Sequence, residues 1–255
     1  MPADLAHALH GHGPSHVLVL HDWLGDRGNW DPMLPYLDGE RFTYALVDLR
    51  GYGGSRALTG AYTAEEAAGD ALAVAARLGW ERFAAVGHSM SGLIVQQMAA
   101  AAPSKVARIV AVTPVGPGGL PAPPEVRAAM ERVALDPSRR RAALVHMWGD
   151  RLSERWIDSK LARWNATSEP QAVLGYLRMF SATDLRARVA GLDVPILVIA
   201  GEHDQPHFSA GALRTAFAAY PRLEVVTCGN AGHYPMQETP VALATTMERF
   251  LAQGA

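Results

Sequence analysis

A mostly parallel, doubly wound α/β sheet carrying an inserted helical segment is the fold predicted by this sequence, on three observations. Short apolar runs rich in β-branched residues alternate with helical patterns. Each run ends at a cluster of Gly, Asp or His. The alternation lapses once, over residues 121–188, where helical patterns continue without a strand. Runs that are apolar throughout suit strands covered by helices on both faces, as in a parallel sheet.

In chain order, strands are expected at residues 16–20, 42–47, 83–86, 108–113, 194–200 and 223–227. Helices are expected at residues 64–78, 91–101, 210–219 and 241–251, where apolar side chains recur at helical spacing. After Thr113, the stretch from Pro114 to Pro124 concentrates Pro and Gly, which break regular structure and favour a linker. The reading is therefore a core of residues 1–120 and 189–255 and an inserted helical unit of residues 121–188. Within the insertion, Ile157, Leu161 and Trp164 mark one apolar face.

Composition excludes several classes. A chain of 255 residues with 49% hydrophobic and 19% charged residues can bury a sizeable core as one large domain. The 23 basic and 25 acidic residues argue against a protein that works by neutralising phosphates, so no nucleic-acid partner is expected. That balance conceals a contrast, because residues 121–190 hold 12 basic against 8 acidic side chains and the remainder 11 against 17. The charge-free run 83–104 is long enough to span a membrane, but Gly87-His88-Ser89, Gln96 and Gln97 would be costly in lipid. It reads as strand, turn and helix, and no membrane partner is expected. The single cysteine, Cys228, excludes an intramolecular disulfide and a Cys-based zinc site. Met1-Pro2-Ala3-Asp4 lacks the basic and apolar regions of an export signal, and with the lone cysteine this predicts a cytoplasmic location.

The strongest motif is Gly87-His88-Ser89-Met90-Ser91-Gly92, a strand entering a helix through small residues with a serine at the apex. It is close to the G-x-S-x-G elbow, in which a sharp turn lifts the serine oxygen above the sheet, with Ser91 in the second small position. Gly201-Glu202-His203-Asp204 follows one apolar strand, and Ala231-Gly232-His233-Tyr234-Pro235 follows the next. The order Ser, Asp, His at three strand ends is the order of an α/β-hydrolase triad and differs from the serine-protease folds.

At these residues the chain resembles the α/β-hydrolase fold family, in its serine branch with a helical cap, over nearly its whole length. His21-Asp22-Trp23-Leu24-Gly25 is similar to the family's oxyanion loop, although Asp22 stands where the family usually has glycine. Asp48-Leu49-Arg50-Gly51-Tyr52-Gly53-Gly54-Ser55 resembles its turn after the next strand, and Gly232-His233 with Glu238 and Pro240 resembles its terminal histidine segment. The resemblance implies Ser89 as nucleophile, His233 as general base, and Asp204 rather than Glu202 as the orienting acid. It also implies that the backbone N–H groups of Trp23 and Met90 receive the oxyanion, with no cofactor and no metal. Because a carboxylate aimed at an oxyanion would oppose catalysis, Asp22 is expected to point away and fasten its own loop. In the cap, Met147, Trp148, Trp156, Trp164 and Met179 are candidates to touch a small-molecule substrate, with core packing as the competing reading.

Other features carry plainer readings. His7, His10, His12 and His16 read as an exposed polar arm rather than a zinc site, Cys228 as a small buried thiol, and Arg139-Arg140-Arg141 as a solvated helix end. The expected function is hydrolysis of a carboxylic ester or lactone through an acyl-enzyme. Carbon-carbon bond hydrolysis of a ring-cleavage product, cofactor-free peracid formation and a slow-turnover ligand receptor are the alternatives. Branches with an aspartate nucleophile fit worse, because this chain has Ser89 there and Leu24 where they usually have proline.

Overall fold

The computed structural model describes residues 2–148 and 150–253. In order, the elements are β1 (His7–His10), β2 (Ser15–Leu20), β3 (Phe42–Val47), α1 (Ala64–Arg77), β4 (Phe83–His88), α2 (Met90–Ala101) and β5 (Val106–Val112). Five helices follow: α3 (Pro124–Leu135), α4 (Arg140–Trp148), α5 (Glu154–Thr167), α6 (Pro170–Ala182) and α7 (Arg186–Val189). The chain closes with β6 (Ile196–Gly201), α8 (Ala210–Ala216), β7 (Leu223–Cys228), α9 (Pro235–Glu238) and α10 (Pro240–Leu251).

The seven strands form one sheet in the order β1-β3-β2-β4-β5-β6-β7, with β1 antiparallel to β3 and every other neighbouring pair parallel. β4 and β6 are buried at every position, as their unbroken apolar runs require. Thr63 begins α1 by accepting the N–H of Glu66 at 3.1 Å, which satisfies one of the free donors of the first turn. Because β2 to β7 run the same way, the loops carrying Asp22, Asp48, Ser89, Asp204 and His233 gather at one edge of the sheet. In open α/β sheets that edge is where ligands bind.

Two expectations are corrected. Residues 7–10, expected in an exposed polar arm, are the half-exposed antiparallel edge strand β1, whose four residues alternate too little to announce a strand. His16 stacks face to face on Trp80 with centroids 4.5 Å apart, and burial lowers its pKa. The run 139–141 is not uniformly solvated: Arg140 is buried, stacked over the Trp164 ring at 4.5 Å, and donates to the Asn165 side chain and the Ala134 carbonyl. Its neighbours Arg139 and Arg141 pair with acids at the surface.

Strand edges shift for local reasons. Thr113 leaves β5 because its backbone turns to φ +40°, and β6 begins at Ile196, just after Pro195, which has no N–H to give to a ladder. Among the described residues, no helix is long and apolar enough to cross a membrane.

Candidate active site

Ser89 sits between β4 and α2 with φ +54°, a left-handed conformation that costs a non-glycine residue roughly 1–3 kcal/mol. The turn holds because its neighbours are small. A Cβ at Gly87 would collide with the Ser91 carbonyl, and one at Gly92 with Pro114. Ser91, in the second small position of the elbow, is buried and donates its hydroxyl to the His21 carbonyl, tying α2 to the end of β2. Serine there adds a tether that glycine could not supply.

The Ser89 hydroxyl donates to His233 Nε2 at 2.9 Å, and His233 Nδ1 donates to Asp204 Oδ2 at 2.7 Å. The other carboxylate oxygen of Asp204 accepts the Gln205 N–H at 2.7 Å. Glu202 instead accepts the Asn230 N–H at 2.8 Å and stands outside this relay. The His233 carbonyl is gripped by His88 Nε2 at 2.7 Å and by the Thr113 hydroxyl at 3.0 Å. Glu238 accepts the N–H groups of Gly232 and Tyr234 and is itself paired with Arg151 of the insertion. The imidazole is thus held from its backbone as well as from its ring.

The loop after β2 is braced by buried groups. His21 accepts the Leu49 N–H on Nε2 at 3.1 Å, so its Nδ1 carries the proton that it donates to the Asp22 carbonyl at 2.7 Å. Asp22 accepts from the Leu24 N–H at 3.1 Å, from the Tyr234 hydroxyl at 2.7 Å and from the Asn29 side-chain amide. Lys160 Nζ lies 3.7 Å from the same carboxylate. Burial alone would raise the Asp22 carboxyl, but the charge of Lys160 and the Tyr234 hydroxyl hold it well below the usual carboxylate range. Burial lowers His88 to about 3, so its ring is neutral. Trp23 reaches from this loop into the insertion, where its indole N–H donates to the Val173 carbonyl at 2.7 Å and its ring packs on Trp164 and Phe180. Its backbone N–H makes no hydrogen bond among the described residues, and Met90, as the first residue of α2, has an N–H with no intrahelical partner.

Ser89, Asp204 and His233 open into a cavity of about 770 Å³. Its wall is largely apolar: Leu24, Val115, Phe180 and Phe208 from the sheet side and the base of the insertion, and Val126, Met130 and Val133 from α3. Of the insertion residues expected to contact substrate, Met147 and Trp148 line this cavity. Trp156, Trp164 and Met179 do not. Trp164 is buried between Trp23 and Arg140, and Trp156 packs on Tyr234 and donates its indole N–H to Gln237 at 2.9 Å. Met179 faces a separate groove beside Tyr62. All three are large apolar side chains, and packing between helices claims such side chains as readily as a ligand does. The α3 stripe was missed, although Val126, Met130 and Val133 lie at i, i+4 and i+7 and could have been found by that spacing. Cys228 is buried, with its sulfur 3.2 Å from the Thr239 hydroxyl.

The sequence pattern of the family described as alpha/beta hydrolase fold matches residues 15–240. A pimeloyl-acyl-carrier-protein methyl ester esterase from Stenotrophomonas maltophilia is 30% identical, over 95% of this chain and 94% of its own length. One of the same description from Xanthomonas axonopodis pv. citri is also 30% identical, over 95% and 96%. Among solved structures, a hydrolase from Pseudomonas aeruginosa PA01 superposes with a TM-score of 0.84 at 26% identity, covering 98% of this chain and 94% of that one.

Proposed function

The chain belongs to the alpha/beta hydrolase fold family, and from that premise we propose that it is a serine hydrolase of carboxylic esters whose acyl part lies in the apolar cavity above Ser89. The observation that carries this reading is the hydrogen-bonded series Ser89, His233, Asp204 at the floor of that cavity. A serine hydroxyl is a weak nucleophile at neutral pH. His233 takes its proton as Oγ attacks the ester carbonyl, and Asp204 stabilises the imidazolium that forms. The oxygen that becomes negative is received by the N–H groups of Trp23 and Met90, each such donor being worth roughly 3 kcal/mol in comparable sites. The imidazolium then protonates the departing alkoxide, leaving an acyl-Ser89. Water, deprotonated by the same histidine, releases the acid and restores the hydroxyl.

The relatives named as methyl ester esterases support an ester over a carbon-carbon bond as the scissile group. The cavity's size, within the range that encloses a small organic ligand, and its apolar wall support an aliphatic or aromatic acyl group. On this reading the insertion acts as a cap, with Met147 and Trp148 at the substrate.

A fluorophosphonate probe followed by a panel of methyl esters of increasing acyl length, lactones and vinylogous diketones tests the proposal. The expected result is labelling of Ser89 and turnover that is highest on an apolar ester. A folded protein that stays unlabelled at Ser89 overturns the mechanism, and preferential cleavage of the diketone overturns the ester assignment.

A further inference from the structure

Lys160 is the one lysine of the insertion, and its position is unusual for a lysine. Its side chain is almost wholly buried, and its ammonium group makes no hydrogen bond among the described residues. The charge faces two groups: the Asp22 carboxylate at 3.7 Å and the face of the Tyr234 ring at 3.9 Å. An ion in such a place loses its hydration, and removing one member of a buried pair leaves the other uncompensated. Both partners belong to loops that the proposed reaction uses. Asp22 precedes Trp23, the expected oxyanion donor, and Tyr234 follows His233.

We propose that Lys160 is a positioning residue of the reaction: from α5 it neutralises the carboxylate buried beside the oxyanion donors and holds the loop that presents the Trp23 N–H. The assignment rests on the serine-hydrolase reading above. It explains how this chain carries an aspartate at a position where a negative charge would oppose the developing oxyanion. With Lys160 protonated, the pair presents no net charge to Ser89, while the Asp22 oxygens remain free to accept from Leu24 and Tyr234. Without it, Asp22 stays ionised, because the Leu24 N–H, the Asn29 amide and the Tyr234 hydroxyl still donate to it. Its uncompensated charge then disfavours the oxyanion and favours the protonated, inactive imidazole of His233. That lowers kcat more than it weakens binding, because Lys160 does not line the cavity.

Burial lowers the pKa of the Lys160 ammonium to about 8, against the attraction of Asp22. The titratable and charged groups around the pair are Asp22 and Asp26 from the oxyanion side, His21 and His88 at the ends of β2 and β4, Tyr234 beside His233, and Arg163 on α5 itself.

The test compares the full-length wild type with Lys160→Met and with the double variant Lys160→Met/Asp22→Asn, using a short ester and the fluorophosphonate. In Lys160→Met, kcat and the labelling rate are expected to fall about 10- to 100-fold with KM within about 3-fold, on the scale of a weakened oxyanion donor. The acid limb of kcat/KM should move to higher pH. The double variant, in which no carboxylate is left to neutralise, should recover at least about 10-fold over the single one. A double variant no faster than the single one, or an unmoved acid limb, assigns Lys160 to packing alone and overturns the proposal. Should the single variant not fold, the double variant is compared with Asp22→Asn alone: with no carboxylate to neutralise, the two are expected to share kcat within about 3-fold, and a double variant more than about 10-fold slower than Asp22→Asn overturns the proposal. A wild type with neither turnover nor labelling at Ser89 is a failure of the serine-hydrolase reading itself, seen before any variant is made, and removes the ground of this one.

Discussion

Helices α3 and α4 turn Val126, Met130, Val133 and His146 toward the cavity and leave them partly exposed, with Val126 at 45% of its full accessibility. Helices α5 and α6 instead bury Ile157, Lys160, Trp164, Val173 and Leu177 and reach the loops that carry Asp22, Trp23 and His233. Along α5, Trp156 meets Gln237, Lys160 meets Asp22, and Arg163 meets Asp26. The first half therefore behaves as a wall and the second as a brace. Apolar side chains left partly exposed around a cavity are available to a ligand, whereas buried ion pairs and indole hydrogen bonds hold a fixed geometry. On the proposed function, one insertion thus divides selectivity from the positioning of the loops that carry Asp22, Trp23 and His233.

The largest expected effect removes what both halves serve. Ser89→Ala should lower kcat by about 10⁶ while leaving the cavity able to bind a substrate analogue, measured by turnover and by equilibrium binding. Loss of binding as well would mean that the wall and the elbow are not separable. Next is the pin between the halves. Arg140 sits at the start of α4, over Trp164 of α5, with hydrogen bonds to α3 and α5. Arg140→Met should cost about 2 kcal/mol in denaturant unfolding, by leaving two acceptors without their donor.

Acid should act on the loops that the brace reaches. His88 is neutral in the folded state because burial lowers it to about 3, while the unfolded chain takes up its proton near 6.5. Stability contributed by His88 is therefore whole above pH 6.5 and declines as pH falls toward 3, by up to about 1.4 kcal/mol per pH unit. Asp22, with its carboxyl held low, adds a loss in the same direction below its ordinary 3.8. Thermal unfolding across that range should show the decline, and hydrogen exchange should open α5 before α3.

The wall gives a smaller effect, seen in substrate choice. Met130→Trp fills part of the cavity and should raise KM for long acyl esters about tenfold while leaving kcat on an acetate ester unchanged. An equal effect on both esters would break the division between wall and brace. The smallest change is expected at Arg139→Met, within about 0.5 kcal/mol, because that side chain is exposed and, among the described residues, pairs only with Asp136. Two arginines adjacent in sequence should then differ several-fold in their cost.

Much of this was legible in the chain. Six of the seven strands announced themselves as apolar runs, most clearly β4 and β6, since a strand covered on both faces has no polar positions to blur it. The seventh, β1, is an edge strand of four residues with two histidines, and its pairing with β3 is a long-range event that local pattern does not encode. Ser89, Asp204 and His233 were legible because each follows a strand, and parallel strands bring their ends together. Lys160 was not. On its helix it is one charged residue among several, and only the packing of α5 against the loops after β2 and β7 shows that its charge is buried.

The sequence by itself determined the family, the alternating sheet, the elbow and the order of its three chemically paired residues. These depend on short-range spacing and on burial periodicity, which a linear chain records directly. Tertiary structure alone decided which large side chains face the cavity, which arginine of three is buried, and where the charge opposite Asp22 comes from. Each of those depends on how one helix is rotated against a neighbour distant in sequence, so the same residue type can be solvated, packed or paired without any change in its local pattern.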